Sequence, residues 1–452
     1  MSHSGEPYRL TDLSFSDTAI YDEIYGYIPL TDLELKLVNH KFFQRLNYIK
    51  QLGAANRVFP GAQHTRFSHS LGVMYIIDRM MSVPVLQKRI STEERQKLRV
   101  AALLHDIGHY PLSHVIETVM TEQNTKSERK HEKLGAYIIE KSSIKEILEI
   151  GNIDPIEIGQ IITGESPEPL YNQLMSSELD ADRIDYLLRD AVHTGVAYGR
   201  FDLNRLIHTL TIDKNGQLCV EKSGMHAVEG YVIGRYLMWA VVYTHRVINA
   251  FELLLERIYQ QYNGNALPSY DQIRKIACED ELSFVGYNDT SIFKTIFEKA
   301  ADSSASELCQ MFIDRNVLAV AEEAQGLSAD GKGDKKYFLL DEYKKQNKII
   351  EIAQAANIPD QWVFHNSSRT KLPNLKPLIE VLPEENDEHK KEMSKSIRIL
   401  YSDGKSAPLA NDDSSLVYYL RNKSLDQVRI YTKKEYQEKL KLALKKEIGD
   451  SV

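Results

Sequence analysis

Cysteine is scarce in this chain: Cys219, Cys278 and Cys309 are the only three among 452 residues, and no two of them form a C-x-x-C pair. That excludes a disulfide framework and a cysteine-built metal site, and it fits a reducing compartment. Long apolar runs are missing as well. Tyr236 to Tyr243 is among the longest, far below the roughly 18–20 residues that span a bilayer. The polar segment Met1 to Arg9 lacks the apolar core of a signal peptide. The expectation is a soluble, cytoplasmic protein with no membrane partner. Nor is positive charge in excess: 56 Lys and Arg stand against 64 Asp and Glu, a net charge of −8. That balance disfavours bulk nucleic acid, while a local cluster of arginines can still take a small anion. No internal repeat is present. Apolar residues at 42% and charged residues at 27% describe a globular chain.

Against these absences one stretch is dense in chemistry. Val100 to Glu117 reads V-A-A-L-L-H-D-I-G-H-Y-P-L-S-H-V-I-E. His105 and Asp106 end an apolar run and His109 and His114 follow, with Gly108 and Pro111 breaking the helical pattern between them. Those two residues read as the turn that lets His114 face back over His105 and Asp106. An ionisable pair in apolar surroundings is costly unless it is satisfied, and a metal ion is one way to satisfy it.

The rest of the chain reads as mainly α, a helical core followed by a smaller α/β C-terminal lobe. Residues 1–17 form a tail, 18–322 the helical domain and 323–452 the lobe. Thr18 to Leu30 is an extended segment or hairpin turning at Gly26. Thr31 and Glu34 form a capping box for a helix to about His40, and a second helix runs from Lys41 to Leu52 and stops at Gly53. Phe67 to Met81 is helical, and Ser91 with Glu94 caps the helix leading to His105. Thr121 to Lys130 is a polar loop, and His131 to Glu140 is helical. Asp182, Tyr186 and Asp190 share one helix face by their spacing. Asn215-Gly216 turns a hairpin between Leu210 and Val220. Met225 to Tyr262 is one long helical pattern that places Arg235, Trp239 and Tyr243 together, and helices continue to Glu322. Gly326 to Lys336 and Leu382 to Ser396 read as surface loops. Ile397 to Tyr401 and Val428 to Tyr431 read as strands, and Thr432 to Ile448 as a helix.

His69, His105, Asp106 and Asp182 offer two imidazoles and two carboxylates, a set suited to one divalent ion such as Mn, Fe, Zn or Ni. Four ligands on an octahedral ion leave two positions for water and a substrate oxygen. Singly, each residue has a plainer reading. His69 can hydrogen-bond inside a helical core, and Asp182 can be a solvated helix residue. It is the ordered set in apolar helical context that points to a metal.

The motifs R-F-S-H-S-L-G-V at 66–73, L-L-H-D-I-G-H-Y-P-L-S-H at 103–114, H-E at 131–132 and D-A-D-R-I-D-Y-L-L-R-D at 180–190 resemble those of the HD-domain phosphohydrolases. With F-F-Q-R-L-N-Y-I-K-Q-L-G at 42–53 and V-F-P-G-A at 58–62, the resemblance is to the deoxynucleoside triphosphate triphosphohydrolase branch. It covers residues 18–260 well and the C-terminal lobe loosely, and the few residues ahead of it are not expected to form a sterile-alpha-motif domain. It implies hydrolysis at the α-phosphorus of a small-molecule nucleotide, giving nucleoside and inorganic triphosphate. His69, His105, Asp106 and Asp182 match the family's metal ligands. His114 matches the catalytic histidine that protonates the leaving oxygen, with Glu117 orienting it, and His109 and His131 match further active-site histidines. Arg66, Arg183, Tyr186 and Arg235 match phosphate-binding positions, with Mg accompanying the phosphates as a second ion. Gln51, Leu52 and Asp190 match residues around the sugar, and Tyr243 an aromatic packed on it. The family's guanine-reading activator positions correspond to Asn39 and Asn47, with Gln44 kept and Thr18 in place of a basic residue. Guanine-nucleotide activation is therefore expected to be absent or altered. Assembly as a homo-dimer or homo-tetramer is the family expectation.

Overall fold

β-Branched and aromatic residues on either side of Gly26 fold as an antiparallel hairpin, β1 (Phe15–Asp22) and β2 (Gly26–Thr31), in the computed structural model. The structure describes residues 13–121, 130–301, 307–329, 333–372, 396–421 and 423–449. Thr31 ends the hairpin and opens α1 (Asp32–Val38). Its hydroxyl accepts the Glu34 N–H, and the Glu34 carboxylate takes the Thr31 N–H. The next helix, α2 (Lys41–Arg45), is shorter than its pattern predicts, and only one 3₁₀ turn (Leu46–Tyr48) follows. Distant partners win there over local periodicity. The Lys50 N–H bonds the Asp289 carboxylate at 3.0 Å, and the Gln51 N–H bonds the His64 carbonyl at 3.1 Å.

Four helices carry the motifs into one core: α3 (Arg66–Met81), α4 (Thr92–Leu104), α5 (His114–Thr121) and α6 (His131–Lys141). The Ser91–Glu94 capping box starts α4 as its sequence dictates. The expected loop before α6 lies largely outside the described residues, at 122–129. Shorter helices lead to α7 (Ala181–Thr194), which packs on α3 and ends at Gly195 with φ 76°. β3 (Leu210–Ile212) and β4 (Leu218–Glu221) then form the predicted hairpin.

The pattern from Met225 to Tyr262 is not one helix. α8 (Met225–Met238) passes into a single π turn (Trp239–Tyr243), and α9 (Arg246–Tyr262) begins after a break capped by His245. Helices continue to Ile313 rather than to Glu322, because residues 319–329 form a strand. That strand, β5 (Ala319–Ala329), also takes the first four residues of the loop expected from Gly326 to Lys336. It pairs along its length with β9 (Lys423–Thr432), whose other edge takes β6 (Val363–Leu372). The helix expected from Thr432 starts only at Gln437, since Thr432 is still in the sheet opposite Ala319 and Val363. Between these strands in sequence, β7 (Arg398–Leu400) joins β4 in parallel and β8 (Ser406–Pro408) closes a four-stranded sheet. The predicted loop at 382–395 lies outside the described residues.

The fold is mainly helical. One extensive apolar core runs through the helical region, and a second, with Leu340, Ile349, Val428, Ile430, Leu440 and Leu444, lies under the three-stranded sheet. No helix among the described residues is long and apolar enough to cross a membrane.

Candidate active site

The apolar run of α4 stops at Leu104, and the backbone turns at His105. This break lets two neighbouring side chains, His105 and Asp106, converge although they could not share a helix face. The His105 Nδ1 bonds the Ala102 carbonyl at 2.8 Å, which assigns the proton to Nδ1 and the lone pair to Nε2. That Nε2 is buried with no hydrogen-bond partner among the described residues, 3.4 Å from Asp106 Oδ1 and 3.9 Å from Asp182 Oδ1. His69, from α3, puts its Nε2 3.0 Å from Asp182 Oδ1 and 3.9 Å from Asp106 Oδ2. Its Nδ1 donates to Asp185 at 2.8 Å, and Asp185 is in turn held by Arg189. The α3–α7 approach needs Gly72, since a Cβ there would lie 1.9 Å from Asp185 Oδ1.

The donor set fits a divalent cation. Ligand atoms about 2.0–2.2 Å from an ion lie some 3–4 Å from one another. His105 also presents a lone pair inward, and in both rings the other nitrogen is hydrogen-bonded, which is how metal-binding histidines are oriented. Burial opposes charge on His69, yet hydrogen bonds to Asp182 and Asp185 raise its pKa to about 10. The surroundings therefore favour a positive charge at this point.

The approach to His114 is shaped by tertiary contacts. Leu112 and Ser113, at φ 54° and 56°, make the turn rather than Gly108 and Pro111. The Leu112 N–H donates to the Asp289 carboxylate at 2.7 Å, and Ser113 Oγ donates to the Lys50 carbonyl at 2.7 Å. Gly108 serves a different end: a Cβ there would sit 2.4 Å from the His131 carbonyl, so glycine lets α6 come close.

His114 is 73% exposed and holds one oxygen of Glu117 with Nδ1 at 2.9 Å. The other oxygen of Glu117 takes the ring and the backbone N–H of His131, at 2.9 and 3.0 Å. Burial raises the pKa of Glu117, but hydrogen bonds from His114 and His131 hold it far below the usual carboxylate range. His131 points its Nε2 toward Asp106, 4.0 Å away, and His109 stacks on it at 4.1 Å. Burial, with Arg66 and His131 nearby, pushes His109 well below its ordinary pKa, so it is a neutral ring.

These groups share a pocket of about 580 Å³. All eight residues expected to bind substrate line it: Gln51, Leu52, Arg66, Arg183, Tyr186, Asp190, Arg235 and Tyr243. His69 and Glu117 are not in its lining and act from behind the wall. Several of the eight are already engaged. Arg66 donates to Asp106 at 2.5 Å and to Ser113 at 3.1 Å. Arg183 and Arg235 share the Glu178 carboxylate, at 3.2 and 2.5 Å. Asp190 has both oxygens taken, one by His64 at 2.8 Å and one by the Tyr243 hydroxyl at 2.7 Å. Tyr243 meets Tyr186 edge to face, with ring centroids 6.2 Å apart. Gln51 keeps a buried Oε1 without a partner among the described residues.

Sequence reasoning missed Asp185, Glu178, His64 and Glu252, the last a pocket-lining residue of α9. Asp185 carried a faint signal, its i, i+4 spacing to Arg189 inside the helical motif. The others carried none. Of the activator positions, Asn39 is exposed at the end of α1, and Gln44 and Asn47 bond each other at 3.1 Å.

The HD domain model matches residues 66–190, and the HD associated region model matches residues 201–449. The chain is 34% identical over 319 residues to a Bacillus subtilis protein described as uncharacterized protein YwfO, covering 67% of this chain and 71% of that one. It is 28% identical over 270 residues to the Homo sapiens deoxynucleoside triphosphate triphosphohydrolase SAMHD1, covering 52% of this chain and 43% of the relative. A phosphohydrolase structure from Bacteroides thetaiotaomicron superposes with a TM-score of 0.68 at 26% identity, over 92% of this chain and 99% of that one. Matched by the family models over most of its length and folded like a phosphohydrolase, the chain belongs to the HD-domain family of phosphohydrolases.

Proposed function

We propose that the protein hydrolyses deoxynucleoside triphosphates to deoxynucleoside and inorganic triphosphate. The observation that carries this reading is one pocket lined by His105, Asp106, Asp182, His114, Arg183 and Arg235, with His69 and Glu117 behind its wall holding Asp182 and His114. The likeness to a named deoxynucleoside triphosphate triphosphohydrolase supports it.

His69, His105, Asp106 and Asp182 would hold the divalent ion, which when bound supplies Lewis acidity toward a phosphoryl oxygen and toward water. Water attacks the α-phosphorus, and the bond from phosphorus to the 5′ oxygen breaks. His114 gives its proton to that oxygen, while Glu117 fixes the ring through Nδ1. Arg183 and Arg235 balance charge on the departing triphosphate. Leu52 crowds the 2′ position, Gln51 offers its free carbonyl to the 3′ hydroxyl, and Tyr243 packs on the sugar.

A second reading is an HD phosphohydrolase acting on another nucleotide or on a nucleic-acid phosphoester. It is favoured by Asp190, whose two oxygens are both engaged within the protein and so less open to a sugar hydroxyl. Incubating the protein with each dNTP and NTP in Mn or Mg and resolving the products separates the two. Deoxynucleoside plus triphosphate is the expected result. Nucleotide products would support the second reading, and no turnover with any metal would overturn both.

A further inference from the structure

The wall of the pocket formed by the π turn and the start of α9 depends on a residue nearly two hundred positions later in the chain. The π turn ends at Tyr243, which reaches Asp190, and α9 starts at Arg246. The first carbonyl of α9 to accept a helical hydrogen bond is that of His245, from the Asn249 N–H at 3.0 Å. The Thr244 carbonyl therefore falls in the break between two helices. A buried carbonyl in such a break needs a partner from elsewhere. Arg429, buried on β9, supplies it at 2.5 Å.

The same guanidinium nitrogen reaches Asn249 Oδ1 at 3.2 Å, and Asn249 Nδ2 donates to Glu252, which lines the pocket, at 3.2 Å. The Arg429 Nε is fixed by Glu323 of β5 at 3.0 Å. Two residues on, and so on the same face of the strand, the Tyr431 hydroxyl donates to the Arg246 carbonyl at 3.1 Å. One face of β9 thus holds both sides of the break. π Turns recur at functional sites because they reposition side chains that a regular helix would place elsewhere.

We propose that Arg429 is a positioning residue for the nucleotide pocket: by holding Thr244 and Asn249 it sets Tyr243 and Glu252 for the substrate. Its structural part stands by itself, and its effect on nucleotide binding rests on the function proposed above.

The test uses the full chain with Arg429→Gln and Arg429→Lys. Hydrogen exchange of residues 239–252 should quicken about tenfold or more in Arg429→Gln, while residues 92–104 keep their protection. In a His114→Asn background, which halts turnover with metal present, Arg429→Gln should weaken dNTP affinity by about tenfold. With His114 intact, KM should rise while kcat stays within about threefold. Arg429→Lys, a point charge that can satisfy one acceptor, should recover part of the affinity. Unchanged exchange at 239–252, or equal quickening at 92–104, would overturn the hold. Local quickening with unchanged nucleotide affinity would overturn the positioning role. If the parent protein binds no dNTP, the proposed function fails while the exchange arm still decides whether Arg429 holds the wall.

Discussion

In the helical region, Arg66, Arg99 and Arg189 are buried against Asp106, Glu34 and Asp185, the first pair lining the pocket and the last holding His69. Under the C-terminal sheet the core is Leu340, Ile349, Val428, Ile430, Leu440 and Leu444. A buried ion pair roughly breaks even in stability against an apolar replacement, yet it is costly to break once formed. Apolar burial stabilises directly, by about 25 cal/mol per Å² removed from water. The helical region therefore carries charge inside where geometry has to be held, while the sheet region supplies a conventional core and reaches the site through Arg429. The lesson is that two of these ion pairs, Arg66–Asp106 and Arg189–Asp185, hold candidate metal-site side chains in place, since stability alone would not select them.

The sharpest way to break this contrast is at Asp106. Asp106→Ala should abolish turnover and cost about 3–5 kcal/mol in urea unfolding, because it strands the Arg66 guanidinium. Asp182→Asn should also lose turnover and bound metal, measured by elemental analysis, but keep the melting temperature, since Asp182 is 37% exposed and holds no buried arginine. Equal destabilisation by both would erase the distinction between ligand and scaffold.

Leu340→Ala in the sheet core should cost about 2–5 kcal/mol with KM unchanged at a temperature where the protein stays folded. A matching fall in nucleotide affinity would show that the two regions are less separate than their cores suggest. A smaller effect is expected at Glu178. Burial alone would raise its pKa, but Arg183 and Arg235 hold it below the ordinary value, so it is a carboxylate between two guanidiniums. Glu178→Gln should raise KM about tenfold with kcat within about threefold, because Arg183 and Arg235 use different oxygens of Glu178 and a carboxamide keeps only one, with an NH₂ in place of the other. A lowered KM would mean that Glu178 competes with the substrate instead of presenting the arginines to it.

The mildest effect is in the acid limb of stability. A hydrogen bond from His193, against burial and aided by Arg189, lowers Glu23 from 4.5 to about 2. A depressed folded-state pKa gives stability that is fully present above about 4.5 and is lost as pH falls through about 2. The melting temperatures of the parent and Glu23→Gln should therefore differ most near neutral pH and converge in acid. A constant offset at all pH values would assign the difference to packing.

Much of this was legible in the chain because it is local. The capping boxes at Thr31–Glu34 and Ser91–Glu94 appear where their spacing puts them, since each closes within one helical turn. The Asn215-Gly216 hairpin does so for the same reason. The pattern around His105 read as a donor cluster, and the structure brings His69, Asp106 and Asp182 to it. What stayed hidden is non-local. Asp289 stops the helix near Lys50 and shapes the turn before His114 from far along the chain. The seam at Thr244 takes its hydrogen bond from β9.

By itself, then, the sequence determined which residues are candidates for the chemistry and most of the helices that present them, because periodicity and capping act over a few residues. Only the tertiary structure decided how those groups are partnered: Asp190 engaged on both oxygens, two arginines sharing Glu178, and a π turn held by Arg429. Such choices are made by buried polar groups that must find partners wherever the fold brings them, and no local pattern encodes that search.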